Sequence, residues 1–452
     1  FGRAGGWATW QALDRPPILL AFSHMADRHP SALEVTPGEM AAYLIPPAGV
    51  QAFDFPFGLS AYGEFWVGSG EAPALVLDRL QCPPLVVPDP EHAARTGVFG
   101  AFSTAAETRR RFPLLEWILD REMALGIGDQ ERAGETGWLN DGDTGSFGCW
   151  LHGEAGAAEG LYTHFLRTGD PAIWARARRQ VLHLREVCTW WSNEESAFQH
   201  PRSGGTHFGY RPDFESLGIT GLLYDYWITG DARSLQTAEG LGAQLLSRTG
   251  SSSYHAWERG RVLLHLAELY TATGRQVYRD GLLRLLARRP PPEVELAEAG
   301  VTVAALAEAV EAMERPELQA QFQQQLAALQ RALRAASPVR SVPGARENYL
   351  FQALSRASAS EVGPAVWDAA LQQMLWLFLT PHGRDLSLPR ATQALPAIAA
   401  AGGQLPAWAR GTALGVGNLS GQDRVLTVRV HRQGNDTAAV MVCRMRAPRA
   451  DP

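Results

Sequence analysis

The chain has 452 residues, 46% of them hydrophobic and 19% charged, with a formal net charge of −6. That is enough apolar material for two or three packed domains. The acidic balance argues against a nucleic-acid partner, and no run of about eighteen apolar residues offers a membrane span. All 41 basic residues are arginine. A Schiff base, a lysine general base and a P-loop lysine are therefore excluded, and proton abstraction falls to His, Tyr, a carboxylate or, less easily, Arg.

Residues 1–104 read as β. Short strand-like runs at 18–22, 40–45, 62–67 and 74–77 are separated by Pro- and Gly-rich turns. A β-sandwich is expected there, its first strands lying upstream of Phe1. The absence of a Met start and of a signal peptide fits a processed or shortened chain, and a secreted or cell-envelope location is expected. Residues 105–137 hold a linking helix, placed at 111–124, and a polar loop. From 138 to 405 helical periodicity dominates. Helices are expected at 153–168, 171–191, 214–229, 232–248, 256–273, 275–288, 298–313, 315–336, 347–357 and 362–378, with one more near 391–401.

Within that region one phrase recurs. Thr168-Gly169-Asp170, Thr229-Gly230-Asp231 and Thr273-Gly274-Arg275 each close an apolar helical run and open another. Glycine suits a left-handed C-cap, and the Asp of the first two copies can cap the next helix. The unit is thus a pair of antiparallel helices, repeated at a loose period of about 45–60 residues. With the linking helix the count approaches about twelve, which fits an (α/α)6 toroid. Residues 406–452 end the chain with a small β element, two alternating runs flanking the turn signal Gln433-Gly434-Asn435-Asp436. The fold class expected is α+β and multidomain: β-sandwich, toroid, short C-terminal β element. The four cysteines, Cys82, Cys149, Cys188 and Cys443, lack C-x-x-C spacing and read as buried thiols.

Three polar clusters precede the three helix pairs. The first holds Asn140, Asp141, Asp143, Trp150, His152 and Glu154. Its Asn and Asp residues resemble the start of a calcium loop without the Glu at its far end, so loop capping, a substrate-facing loop and calcium all stand open, and no cofactor is expected. The second holds His207, Tyr210 and Arg211 among glycines. These supply what β-elimination from a uronate needs. His or Tyr takes the proton α to the carboxylate and protonates the leaving oxygen, while Arg neutralises the carboxylate. The third holds Tyr254, His255, Trp257, Glu258 and Arg259. Equivalent positions before successive helix pairs would line one funnel. Asn140, Asp143, Trp150, His152, Glu154, Tyr254, His255, Trp257 and Arg259 are the candidate sugar-binding residues. Asp143, Glu154, Asp213, Glu215 and Glu258 are candidates for the two carboxylates of a glycosidase.

Several stretches resemble the YetA-like group related to fungal exo-rhamnogalacturonan lyase. They are 27–35, Tyr43-Leu44-Ile45-Pro46-Pro47, 58–66, Gly142-Asp143, 150–154, 207–210 and Gly221-Leu222-Leu223-Tyr224-Asp225-Tyr226 with its Thr229-Gly230-Asp231. The resemblance runs with gaps from about residue 20 to 285. It implies β-sandwich domains before an (α/α)6 toroid and a lyase acting on an acidic polysaccharide. The chain departs from the pattern at Gly63, His152-Gly153 and Arg261, where the group would carry His, Asn-Asn and an aromatic residue. A glycoside hydrolase on the same scaffold and a non-catalytic envelope or glycan-binding protein are the alternatives.

Overall fold

A computed structural model describes residues 5–46, 58–81, 85–133, 137, 139, 140, 142, 145, 146, 149, 150, 156–193, 196–199, 214–250, 255–288, 295–335, 348–357, 361–379, 388–403, 423–429 and 440–446. The chain is α+β: small antiparallel sheets come first, then a long succession of helices.

Strands β1 (Trp7–Trp10), β2 (Ile18–Phe22) and β5 (Phe65–Ser69) form a three-stranded antiparallel sheet in the order β1-β2-β5. Strands β3 (Ala32–Thr36) and β4 (Glu39–Tyr43) form a separate hairpin. The described residues of this region thus form a small sheet and a hairpin where a β-sandwich was expected. The expected strand at 74–77 is instead part of helix α1 (Pro73–Gln81). Val76 and Leu80, one helical turn apart, both pack on Leu19 and Ala21 of β2, so helical spacing serves this apolar run better than alternation.

Helices α2 (Pro90–Thr96), α3 (Ala105–Arg111) and α4 (Pro113–Ala133) follow. The region expected to hold one linking helix holds two, broken at Phe112-Pro113. One short pairing, β6 (Gly145–Ser146) with β7 (Cys149–Trp150), precedes α5 (Ala157–Thr168). Then come α6 (Pro171–His183), α7 (Ile219–Thr229), α8 (Ala232–Arg248), α9 (Ala256–Thr273), α10 (Gln276–Leu286), α11 (Leu296–Met313), α12 (Pro316–Ala335), α13 (Asn348–Ser355), α14 (Pro364–Leu379), a 3-10 turn (Leu388–Ala394) and α15 (Leu395–Ala400). The helix expected over 171–191 stops early. A π-turn over Leu184–Cys188 leads into β8 (Thr189–Asn193), which pairs with β9 (Ser196–Gln199). Thr189, Trp190 and Trp191 favour extended backbone. Strands β10 (Asp423–Arg429) and β11 (Val440–Arg446) pair antiparallel as expected, and the turn signal at 433–436 lies outside the described residues.

The recurring Thr-Gly phrase has a physical basis in all three copies. The glycines sit at φ 71°, 74° and 67°, in the left-handed region. Each threonine hydroxyl donates back to a carbonyl in its own last turn: His164 at 2.8 Å, Asp225 at 2.6 Å and Leu269 at 2.6 Å. The same oxygens accept the N–H of Asp170, Asp231 and Arg275 at 3.1–3.2 Å. Asp170 and Asp231 then cap α6 and α8, whereas Arg275 makes no side-chain cap. A fourth turn of this kind uses Glu314 at φ 50°, which carries no glycine signal in the sequence.

The helices fall into two classes. In α5, α7, α9, α11 and α13 almost every side chain is buried along most of the length. In α6, α8, α10 and α12 one stripe is buried, as expected of an outer layer. The buried class packs in sequence. α5 touches α7, α7 touches α9, α9 touches α11, α11 touches α13, α13 touches the 3-10 turn, and that turn touches α5. At Gly300 the approach of α11 to α13 is so close that a Cβ would lie 2.7 Å from the Leu350 backbone nitrogen. No described helix is long and apolar enough to cross a membrane.

Candidate functional site

The buried helices begin together, and polar side chains gather where they begin. Arg261, on α9, lies with its guanidinium 4.8 Å from the Tyr349 ring centre and donates to the Leu217 carbonyl just before α7. Arg390, from the 3-10 turn, lies 4.2 Å from the same ring and donates to Gln352 at 2.8 Å. Tyr349 itself opens α13. A Cβ on Gly156, before α5, would fall 2.5 Å from Arg390 Nη1 and 3.0 Å from the Glu159 carboxylate. A Cβ on Gly221, in the first turn of α7, would fall 3.5 Å from Glu159 Oε2. The starts of α5, α7 and α13, the second turn of α9 and the 3-10 turn therefore converge on Glu159, Arg261 and Arg390.

Glu159 is 1% exposed, and among the described residues neither of its oxygens has a hydrogen-bond partner. One layer deeper, Glu268 accepts from the Thr220 hydroxyl at 2.8 Å and sits 2.9 Å from His265 Nδ1. Burial pushes the Glu268 carboxyl up to about 7, against the Thr220 hydrogen bond and the nearby arginines. Burial, with Arg261 adding to it, holds the His265 imidazole well below its usual range. The pair is then a neutral imidazole facing a carboxyl that is about half protonated near neutrality.

A pH dependence follows. The folded-state value of Glu268 lies above the ordinary 4.5, so its protonated form is favoured by folding. The contribution is full below about pH 4.5 and is lost as pH rises through 7, on the order of 3 kcal/mol in all. Glu268→Gln should flatten that part of the stability profile between pH 5 and 8. Urea unfolding at a series of pH values checks it, and an unchanged slope would show that another group is responsible.

The sequence-expected site residues divide into three groups. His207, Tyr210, Arg211, Asp143, His152, Glu154 and Tyr254 lie outside the described residues, as do Asp141 and Asp213. Asn140 and His255 are among the described residues. Asn140 is half-buried, with its N–H donating to the Gly137 carbonyl at 3.0 Å. His255 is exposed at the N-cap of α9. Trp150 lies in β7 opposite Gly145. Trp257 and Arg259 require correction, because both are packed in the helical interior. Trp257 is 2% exposed and meets Tyr349 edge-on at 5.2 Å. Arg259 is buried and donates to the Leu285 carbonyl at 3.1 Å. Glu258 is likewise buried, accepting from Arg248 at 2.9 Å. The reason is that α9 is buried all round, so its first turn has no solvent face. Among the described residues no three His, Cys, Asp or Glu gather as metal ligands.

The surroundings of Gly63 and Arg261 are well defined. A side chain on Gly63 would place its Cβ 2.5 Å from Leu44 and 2.7 Å from Phe22. Arg261 is held by Tyr349 and the Leu217 carbonyl. The sequence pattern did not single out Glu159, Arg390, Glu268 or His265. The available signal was a set of charged residues inside helices that otherwise read as apolar on every face. Compared with known proteins, the chain matches no family model and no curated protein.

Proposed function

We propose that this chain is a polysaccharide lyase-like enzyme that cleaves an acidic, uronate-containing glycan by β-elimination. The helices would form an (α/α)6 toroid, with α5, α7, α9, α11, α13 and the 3-10 turn as its inner ring, and the substrate would enter where the inner helices begin. The observation that carries this reading is the convergence of those starts on Glu159, Arg261 and Arg390. The segments entering α5, α7 and α9 at that end are the ones that carry Asp143 and Glu154, His207 to Arg211, and Tyr254 and His255.

In this reading Arg211 neutralises the uronate carboxylate and makes the neighbouring C–H more acidic. His207 or Tyr210 takes that proton as the C–O bond to the leaving sugar breaks, and the leaving oxygen is protonated by the other. The products are an unsaturated uronate and a new chain end. Asn140, Trp150 and His255 contribute to holding the sugars. Tyr210→Phe and His207→Ala should each lower turnover by about 10²–10⁴-fold while leaving thermal unfolding unchanged. Equal activity in both variants would remove them from the chemistry.

One observation favours a glycoside hydrolase as a second reading. Glu159 and Glu268 put two buried carboxyl groups near the same end of the ring, and hydrolysis of a glycosidic bond uses two. Ultraviolet absorbance of the product separates the two readings, because only elimination creates a conjugated double bond.

A further inference from the structure

A second site lies outside the ring, where the N-terminal sheet region meets α6 and the π-turn. The segment after Gly58 is laid along this surface by its backbone. The Gly58 carbonyl accepts from Trp191 N–H at 2.9 Å, and Ser60 N–H donates to the Glu186 carbonyl at 3.2 Å. The Glu186 carboxylate takes Tyr62 N–H at 3.2 Å and both terminal nitrogens of Arg28. Tyr62 is thereby fixed as a wall between two cavities. One, of about 430 Å³, is lined by Glu64, Trp174, Arg178 and Arg179 among others. The second, of about 360 Å³, is lined by Arg185, Trp191, Arg233 and Gln236 among others. Both volumes fall in the range of about 300–1,000 Å³ typical of small-ligand sites.

The lining has a definite chemistry. Five arginines and two glutamates line the two cavities, in a chain whose overall charge is −6. Arg178 is committed to Asp225 and Asp231, and Arg185 to Asp231 at 2.7 Å. Arg233 differs. Its guanidinium rests 4.4 Å from the Tyr62 ring centre, and among the described residues no carboxylate pairs with it. The Tyr62 hydroxyl donates to Glu64, and burial together with that hydrogen bond pushes it up to about 12, so it stays a donor. On the other side of the wall Trp174 lines the first cavity.

We infer that these two cavities form one groove for a short, carboxylate-bearing oligosaccharide, held by its carboxylate at Arg233 and by stacking of a sugar ring at Trp174. Aromatic faces from Trp174 and Trp191 suit sugar rings, and the Arg233 guanidinium selects acidic ones. The inference goes beyond the lyase reading, because binding here needs none of His207, Tyr210 or Arg211.

Calorimetric titration of the whole protein with digalacturonate tests it. Saturable binding is expected, with none for cellobiose or inorganic sulfate. Arg233→Gln should weaken digalacturonate binding by about tenfold or more, the worth of a charge-assisted hydrogen bond. Trp174→Ala, which removes the ring on which a sugar would stack, should weaken it by about fivefold. The Tyr210→Phe variant should bind as the native chain does at this groove, so loss of turnover and loss of this binding are read separately. Absence of saturable binding, equal binding of sulfate or cellobiose, or Arg233→Gln and Trp174→Ala curves that overlay the native one would each overturn the groove.

Discussion

Arg167→Leu is expected to cost about 3–5 kcal/mol of folding stability, the largest loss predicted for any single residue of this chain. Arg167 joins α3 and α4 to α5. Its side chain and that of Glu116 are both 0% exposed. The guanidinium donates to Glu116 on α4, to the Ser103 carbonyl at 2.8 Å and to Thr108 on α3 at 3.3 Å, and it contacts His164 Nδ1 at 3.2 Å. Burial and the adjacent Arg167 together pull the His164 imidazole down to about 3, so it faces the cation as a neutral ring. Burial also pushes the Glu116 carboxyl up, with Arg167 opposing it. Leucine at position 167 would strand Glu116 in that environment and orphan Ser103, so the loss should far exceed that of a surface pair. Adding Glu116→Leu to Arg167→Leu should recover most of it, because a buried ion pair replaced whole by apolar groups is often neutral. Urea unfolding of the two single variants and the double variant reads this directly. A single-variant loss below about 1 kcal/mol, the range of surface pairs, would contradict the role given to Arg167.

Glu159→Gln is expected to act in the opposite direction on stability. A buried carboxylate without a hydrogen-bond partner opposes folding, and the amide of the same shape removes the charge. The variant should be more stable by about 1–2 kcal/mol. If Glu159 belongs to the working site, the same variant should lose activity or glycan affinity, the trade-off expected where stability is given up for function. A fall in stability would mean that the carboxylate is a structural anchor. A gain in stability with full activity would remove it from the site.

The helical part of this chain was largely legible in sequence because its signals are local. The Thr-Gly turns at 169, 230 and 274 combine a left-handed glycine with a bridging hydroxyl, and both are visible in three residues. The turn at Glu314 was not marked, since its backbone conformation is held by packing rather than by composition. Residues 74–77 were misread because four apolar residues fit strand and helix alike. Only the contacts of Val76 and Leu80 with β2 decide between them. The end of the helix before Leu184 escaped for a similar reason, since the pairing of β8 with β9 overrides the helical pattern expected to continue to 191.

The candidate site was less legible. Composition pointed to polar connecting segments, and the structure places polar side chains under the helix starts to which those segments lead. Trp257 and Arg259 look like cleft residues in the linear sequence, yet the helix that carries them is buried on every face. Conversely, Glu159, Glu268 and Arg390 read as isolated charges, and only the convergence of elements far apart in the chain brings them near one another.

The central claim is that this chain cleaves an acidic glycan by elimination. Incubating the native protein with a panel of acidic polysaccharides, including rhamnogalacturonan and alginate, while following ultraviolet absorbance tests it most directly. The account predicts a steady rise on at least one of them, from the unsaturated uronate, which Tyr210→Phe abolishes. A flat trace on every member, with or without new reducing ends, would contradict it.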